Sequence, residues 1–147
     1  MTNDALTEFC DTSDEWIRER TGIAARRMAF PGEQGTADRA VPAARAAMEE
    51  AGMSPADVEA VICCTVTPDQ LLPASANLIQ GELGANHAAS FDLNAACSGF
   101  VYGLATADAY IQTGLFKNVI VIGSEVTTSL LTWKYRDTAV LFGDGAG

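Results

Sequence analysis

The sequence predicts an α/β fold in which helices cover a parallel β-sheet. Residues 58–66 are almost wholly apolar and rich in β-branched side chains, a composition typical of a strand buried on both faces. Residues 36–50 carry apolar side chains at helical spacing. From residue 58 onward the order strand, helix, strand, helix, strand takes about 65 residues, which predicts right-handed crossovers and a layered sheet.

Each predicted element has its own start or stop signal. The helix predicted over residues 12–20 begins within the Asp-Thr-Ser-Asp run of residues 11–14, which is typical of a capped helix start, and we expect this helix to end near Gly22. The helix over residues 36–50 has Gly52 as its stop. Further helices are predicted over residues 74–83 and 98–113, and further strands over residues 90–93, 119–123 and 138–142.

The composition excludes several functional classes. Nine Lys and Arg stand against 19 Asp and Glu, a net charge of −10, so the chain has no general attraction for nucleic acid or an anionic membrane. No apolar stretch approaches the ~20 residues of a membrane span. The polar start of the chain has no secretory pattern, which predicts a cytoplasmic protein. Four cysteines without a CxxC pair fit neither a disulfide framework nor a zinc site, and we expect no metal.

Cys97 is the candidate nucleophile. It lies where the strand ending at Leu93 meets the helix beginning near Ser98, among small neighbours. Backbone N–H groups and the positive end of a helix dipole would stabilise a thiolate there and could hold an oxyanion. The alternative is that Cys97 is a small buried apolar residue.

A second candidate site is a basic cluster beside Trp16. Arg18, Arg20, Arg26 and Arg27 concentrate four of the nine basic charges in ten residues of an acidic chain. Tryptophan can stack on a nucleobase while arginines pair with phosphates, so the cluster fits a nucleotide site. A solvated helix face with a buried tryptophan explains the same pattern.

Five runs in a fixed order resemble one family. They are residues 11–17, 20–23, 94–100, 123–125 and 142–147, and together they resemble β-ketoacyl-acyl-carrier-protein synthase III of the thiolase-like superfamily. The resemblance covers essentially the whole chain. It implies a fold of two similar α/β halves in an αβαβα arrangement. Residues 1–147 would form the N-terminal half-domain, truncated at both ends, without the opening strand and the C-terminal half.

The resemblance also assigns roles to individual residues. Cys97 matches the nucleophile that takes an acyl group from acyl-coenzyme A, with its own N–H in the oxyanion hole. Trp16 and Arg136 match the pair that sandwiches the adenine, and Arg20 and Thr12 match positions at the coenzyme A entrance. Leu72 matches a residue that reaches the acyl pocket of the partner subunit, which implies a homodimer.

The function implied is a decarboxylating Claisen condensation in fatty acid initiation. An acyl-cysteine would react with malonyl-acyl carrier protein to give a 3-oxoacyl product, with the coenzyme A thioester as substrate and no cofactor. The family's catalytic histidine and asparagine have no match in this sequence, and His87 does not replace them, so we expect the isolated chain not to condense. Two alternatives are a non-catalytic coenzyme A-binding or assembly half-domain and a related polyketide-type condensing enzyme.

Overall fold

The computed structural model describes residues 1–29, 32 and 34–147, which form two compact units. The first unit comprises Met1–Glu33 and Val126–Gly145, and the second comprises Gln34–Glu125 and Ala146–Gly147. The parallel strands and the helices that cover them lie in the second unit. Over the described ranges, no helix is both long enough and apolar enough to cross a membrane.

Four strands form one sheet in the order β2-β1-β3-β4. They are β1 (Ala60–Cys64), β2 (Ala89–Leu93), β3 (Val119–Val126) and β4 (Asp144–Ala146). β1 pairs in parallel with both β2 and β3 along its whole length. Gly123 and Gly147 exchange two N–H···O bonds of 2.8 and 2.9 Å, the pattern of an antiparallel pair. The predicted parallel core is thus confirmed, with an antiparallel pairing at one edge.

Helices cover both faces of the sheet. Helices α3 (Thr36–Glu50) and α4 (Ser75–Leu83) share a buried cluster with Cys63 on one face. Helix α5 (Gly99–Gln112) lies on the other face, where its Ala107 belongs to the cluster of Cys64. Adjacent strand residues point to opposite faces, so the two cysteines lie in different core layers.

The first unit is built from three shorter helices. They are α1 (Asn3–Leu6), α2 (Asp14–Thr21) and α6 (Arg136–Ala139). Leu6, Ile17 and Val140 form their buried cluster. All the helices predicted from the sequence are present to within two residues at either end. α1 was not predicted, because its four residues are too few to show a helical period.

The predicted strand over residues 138–142 is wrong. The amide of Val140 donates to the carbonyl of Arg136 and the amide of Leu141 to that of Thr138, each at 3.1 Å, so this segment forms helical turns. Adjacent Ala139 and Val140 are both buried, whereas a strand with one covered face would bury only one of them. The apolar run reflects packing within the first unit, and β4 forms in the glycine-rich run that follows.

Gly103 permits α5 to approach the sheet closely. A Cβ at this position would lie 2.6 Å from Cys64 Sγ and 2.8 Å from Val121 Cγ1. We expect Gly103→Ala to lower the free energy of unfolding by about 1–3 kcal/mol, because overpacking outweighs the better helix propensity of alanine. Thermal or urea unfolding measures the change.

Gly81→Ala is the matched control. Gly81 lies within α4, is exposed, and has nothing within 4 Å of an added Cβ. We expect this variant to be more stable by about 0.5–1 kcal/mol, since only the helix propensity changes. Equal effects of the two substitutions would contradict the close approach of α5 to the sheet.

Candidate active site

Cys97 lies on an elbow between β2 and α5. β2 ends at Leu93, a 3₁₀ turn spans Ala96–Ser98, and α5 begins at Gly99. The Cys97 side chain is exposed. The amino end of α5 favours negative charge such as that which develops on a thioester oxygen during attack. The predicted elbow is confirmed, and it presents a thiol to solvent, so Cys97 is not the buried apolar residue of the alternative interpretation.

The elbow is a tight structure. Ala96 has φ of +47°, in the left-handed region that residues with a Cβ rarely adopt. Gly99 is buried, and a Cβ there would lie 3.4 Å from the Cβ of Cys64. The sequence showed that the neighbours of Cys97 are small, but it gave no sign of the strained backbone at Ala96.

The three other cysteines are poor nucleophiles. Burial raises the pKa of both Cys63 and Cys64, and the carboxylate of Asp92 raises each further. Burial also raises the pKa of Cys10, against the opposing effect of Arg26. A raised pKa leaves less thiolate at neutral pH. Among the four thiols, only that of Cys97 is exposed.

Asp92 fixes the strand end that precedes the elbow. Its carboxylate accepts hydrogen bonds from the amides of Ser75 and Ala76, at 2.9 and 2.8 Å. These amides belong to the first turn of α4, where a carboxylate satisfies N–H groups that have no partner within the helix. The end of β2 is therefore tied to α4 five residues before Cys97.

The first unit holds a tryptophan flanked by arginines. The Arg20 guanidinium lies 4.4 Å and the Arg136 guanidinium 4.6 Å from the centre of the Trp16 ring. Arg136 also donates to the carbonyl of Asp11 at 3.2 Å. Such an arrangement offers a flat aromatic surface and two cations, which suits a nucleotide base and its phosphates.

The guanidinium groups of Arg20 and Arg136 are in direct contact with the Trp16 ring. A base inserted between the Trp16 ring and a guanidinium needs about 3.5 Å on each side, or roughly 7 Å in all. The observed 4.4 and 4.6 Å leave no such room. A nucleobase can therefore enter between the ring and either arginine only if that guanidinium moves away from the ring.

Two of the three other arginines of the basic cluster, Arg18 and Arg26, make contacts away from Trp16. Arg18 pairs with Asp14 at 2.6 Å on an exposed helix face. Arg26 is buried and donates to Asn3 Oδ1 and to the carbonyl of Val140. Both are therefore engaged in structural contacts within the first unit, and only Arg20 of the cluster lies over Trp16.

The structure also shows the burial of three further residues that the sequence analysis discussed. Thr12 in the first unit is half-buried, and its hydroxyl has no hydrogen-bond partner among the described residues. Leu72 in the second unit is 86% exposed in the segment between β1 and α4. His87 is exposed between α4 and β2. The sequence assigned no role to Glu125, although its carboxylate has three hydrogen-bond donors at the edge of the sheet where Cys97 lies.

The chain is similar to known proteins throughout its length. The family profile of 3-oxoacyl-[acyl-carrier-protein] synthase III matches residues 91–147. β-Ketoacyl-[acyl-carrier-protein] synthase III of Caldanaerobacter subterraneus subsp. tengcongensis is 50% identical over 147 residues, which are all of this chain and 44% of that protein. The chain thus spans less than half the length of this relative.

Solved structures give the same result. The 3-oxoacyl-[acyl-carrier-protein] synthase III of Aquifex aeolicus matches with a TM-score of 0.95 and 46% identity, over 99% of this chain and 47% of that one. The priming β-ketosynthase of the R1128 polyketide pathway matches with a TM-score of 0.94 and 38% identity, over 99% of this chain and 43% of that one.

The α/β layers, with an exposed cysteine at the elbow between a strand and a helix, define this chain as part of a thiolase-like fold. Within that class, the chain is similar in sequence and structure to part of a β-ketoacyl-acyl-carrier-protein synthase III, a condensing enzyme. The family resemblance predicted from the sequence motifs is thereby confirmed.

The burial of the thiols predicts an order of labelling. In the native chain near pH 7.5 we expect iodoacetamide to modify Cys97 first, Cys10 more slowly, and Cys63 and Cys64 only after unfolding. Peptide mapping by mass spectrometry follows each site. All four thiols should react at similar rates in denaturant, and rapid native labelling of Cys63 would contradict the burial of β1.

Proposed function

We propose that this chain supplies the nucleophile of an enzyme that condenses acyl-coenzyme A with malonyl-acyl carrier protein, giving a 3-oxoacyl-acyl carrier protein in fatty acid initiation. The observation that carries the proposal is the exposed Cys97 at the amino end of α5, on a fold shared with β-ketoacyl synthases. Thiol, helix end and backbone N–H groups are the parts that acyl transfer requires.

The first step is transfer of the acyl group to Cys97. Its thiolate attacks the carbonyl carbon of the thioester, and the new C–S bond forms as the oxygen becomes an oxyanion. The N–H of Cys97 stabilises that oxyanion in our proposal. The bond to the coenzyme A sulfur then breaks, and coenzyme A leaves as a thiolate that takes up a proton. The coenzyme A thioester is thus a substrate, and this step needs no separate cofactor.

The second step is not assigned to residues of this chain. In the family resembled, a histidine and an asparagine polarise the malonyl thioester while it loses carbon dioxide, and its carbanion then attacks the acyl-cysteine. This sequence has no match to either residue, and exposed His87 is not proposed for the role. The 147-residue chain is therefore proposed to accept an acyl group without completing the condensation.

The setting and the assembly follow from the same chemistry. A free catalytic thiol needs reducing conditions, which supports a cytoplasmic location. Two features support a homodimer: β2 has no further strand on its outer edge among the described residues, and Leu72 is exposed. A second copy of the chain could cover both.

A non-catalytic assembly or coenzyme A-binding half-domain is the second candidate. One observation favours it: α5 exposes several large apolar side chains, although Asp108 is exposed beside them. The exposed apolar residues of α5 are Phe100, Val101, Tyr102, Leu104 and Ile111. A concentration of exposed apolar side chains on one element is typical of a surface that a partner covers. A polyketide-type condensing enzyme is a further candidate, supported by the similarity to the R1128 priming β-ketosynthase.

Acylation of Cys97 tests the proposal. We expect the folded chain, incubated with acetyl-coenzyme A or longer acyl-coenzyme A, to gain one acyl mass, and digestion to place it on Cys97. Cys97→Ser should abolish the adduct, whereas Cys10→Ser, which changes a thiol outside the elbow, should retain it. An adduct that persists in Cys97→Ser would refute the assignment. A folded chain that forms no adduct would favour the assembly half-domain.

Trp16 and Arg136 are proposed to bind the adenine of coenzyme A after the Arg136 guanidinium has moved away from the ring, with Arg20 and Thr12 at the coenzyme A entrance. Trp16→Ala should weaken coenzyme A binding by about tenfold, the usual value of one base–aromatic stack. Calorimetric titration measures this change, and pantetheine, which lacks the nucleotide, should bind Trp16→Ala and the parent chain alike. Trp133→Phe is the matched control because it removes the other tryptophan. Equal affinity of Trp16→Ala and the parent chain for coenzyme A would exclude this role.

A further inference from the structure

Glu125 makes a concentrated set of hydrogen bonds at the end of β3. Its carboxylate accepts the amide of Val66 at 2.8 Å, the hydroxyl of Thr65 at 3.3 Å and the hydroxyl of Thr67. Among the described residues, neither ion pair of the structure includes Glu125, so neutral donors and not a cation hold its carboxylate. Hydrogen bonds to a charged acceptor are stronger than neutral ones. The carboxylate therefore anchors three consecutive residues that follow β1.

The anchored residues belong to a segment that is also held farther along. The hydroxyl of Thr36 donates to the carbonyl of Thr67. The amide of Asp69 donates to Ser75 Oγ at 3.0 Å, and its carboxylate accepts the amide of Ala37 at 2.9 Å. The starts of α3 and α4 thus hold the segment from Thr67 onward, whereas Glu125 holds Thr65, Val66 and the side chain of Thr67.

That near part leaves the sheet beside the Cys97 elbow. β1 and β2 are adjacent and parallel, and their last residues, Cys64 and Leu93, are partners in the register. The amide of Thr65 continues the pairing by donating to the carbonyl of Leu93 at 3.2 Å. Loops that follow neighbouring parallel strands emerge at one edge of a sheet. Residues 65–67 therefore border the elbow on the β1 side.

We propose that Glu125 is a positioning residue for the reaction at Cys97: by holding residues 65–67 against the sheet, it limits the size of the acyl group that Cys97 accepts. The inference rests on the proposed acylation of Cys97 and adds a residue that determines its selectivity. Glu125 itself touches no reacting atom in this scheme. Loss of its carboxylate should release residues 65–67 and relax the limit on acyl size.

The test measures two properties of each variant: the acyl-chain selectivity of Cys97 acylation and the protection of backbone amides at residues 65–67 from hydrogen exchange. We expect the parent chain to discriminate between acetyl- and octanoyl-coenzyme A in the rate of Cys97 acylation, and Glu125→Ala to move the ratio of the two rate constants about tenfold toward one. Reactivity of Cys97 with iodoacetamide should stay within about twofold, because the elbow is intact. Amide exchange should accelerate within residues 65–67, above all at Val66, whose amide loses its acceptor. Glu125→Gln, which keeps one acceptor oxygen, should be intermediate.

Glu59→Ala is the matched control. Glu59 precedes β1 and accepts the amide of Lys117, so it makes the same kind of contact at the opposite edge of the sheet. We expect this variant to keep the acyl-chain ratio of the parent chain. An equal shift of the ratio in Glu59→Ala would mean that general loosening, and not Glu125, sets selectivity.

Several outcomes would overturn the inference. The first is that Cys97 of the parent chain reacts equally fast with both acyl-coenzyme A substrates. The second is that amide exchange accelerates in Glu125→Ala but the ratio of acylation rate constants does not change. The third is that amide exchange at residues 65–67 is the same in Glu125→Ala as in the parent chain. If the parent chain is not acylated at all, the proposed function fails. In that case the ratio of N-methylmaleimide to N-cyclohexylmaleimide labelling at Cys97 decides the inference by the same criterion, since maleimides need no coenzyme A site.

Discussion

The parallel pairing of β1 with both of its neighbours is the constraint on which the active-site architecture depends. All five β1 residues are buried, because α3 and α4 cover one face of the strand and α5 covers the other. Parallel strands end at one edge, so the segments after β1, β2 and β3 emerge together. Cys97 follows β2, Thr65 follows β1, and Glu125 lies near the end of β3. A strand order without this pairing would separate Cys97 from the residues that border it.

Local patterns predicted the elements of this architecture well. The helix over Thr36–Glu50 was predicted with the bounds that the structure has, because apolar spacing and a glycine stop agreed. The elbow at Cys97 followed from a strand pattern meeting a helix pattern. The strand prediction for residues 138–142 failed because the apolar run was interpreted without its packing partners. Those partners lie in α1 and α2, which are distant in the sequence. Secondary structure that depends on such packing has no local signal in the sequence.

The side-chain contacts that the sequence did not predict join residues that are far apart in the chain. Trp16 and Arg20 are four residues apart on one helix, so their contact follows from helical geometry. Arg136 reaches the same ring from the other end of the chain, and only the family resemblance pointed to it. The hydrogen bonds from Thr65, Val66 and Thr67 to Glu125 join positions about 60 residues apart. No spacing rule pairs such residues until the sheet order is known.

Helix α5 begins at the Cys97 elbow and also exposes an apolar surface that a partner could cover. Its inward positions Gly99, Gly103 and Ala107 are small and recur every four residues, which allows close approach to β1. Its outward side carries bulky apolar residues such as Phe100 and Leu104, which are exposed in this chain. Phe100 is only three residues from Cys97. A cover over this face would exclude water near the elbow and strengthen the hydrogen bonds to the oxyanion of the proposed acyl transfer. Assembly on α5 and reactivity at Cys97 are therefore expected to rise together, because the same surface serves both.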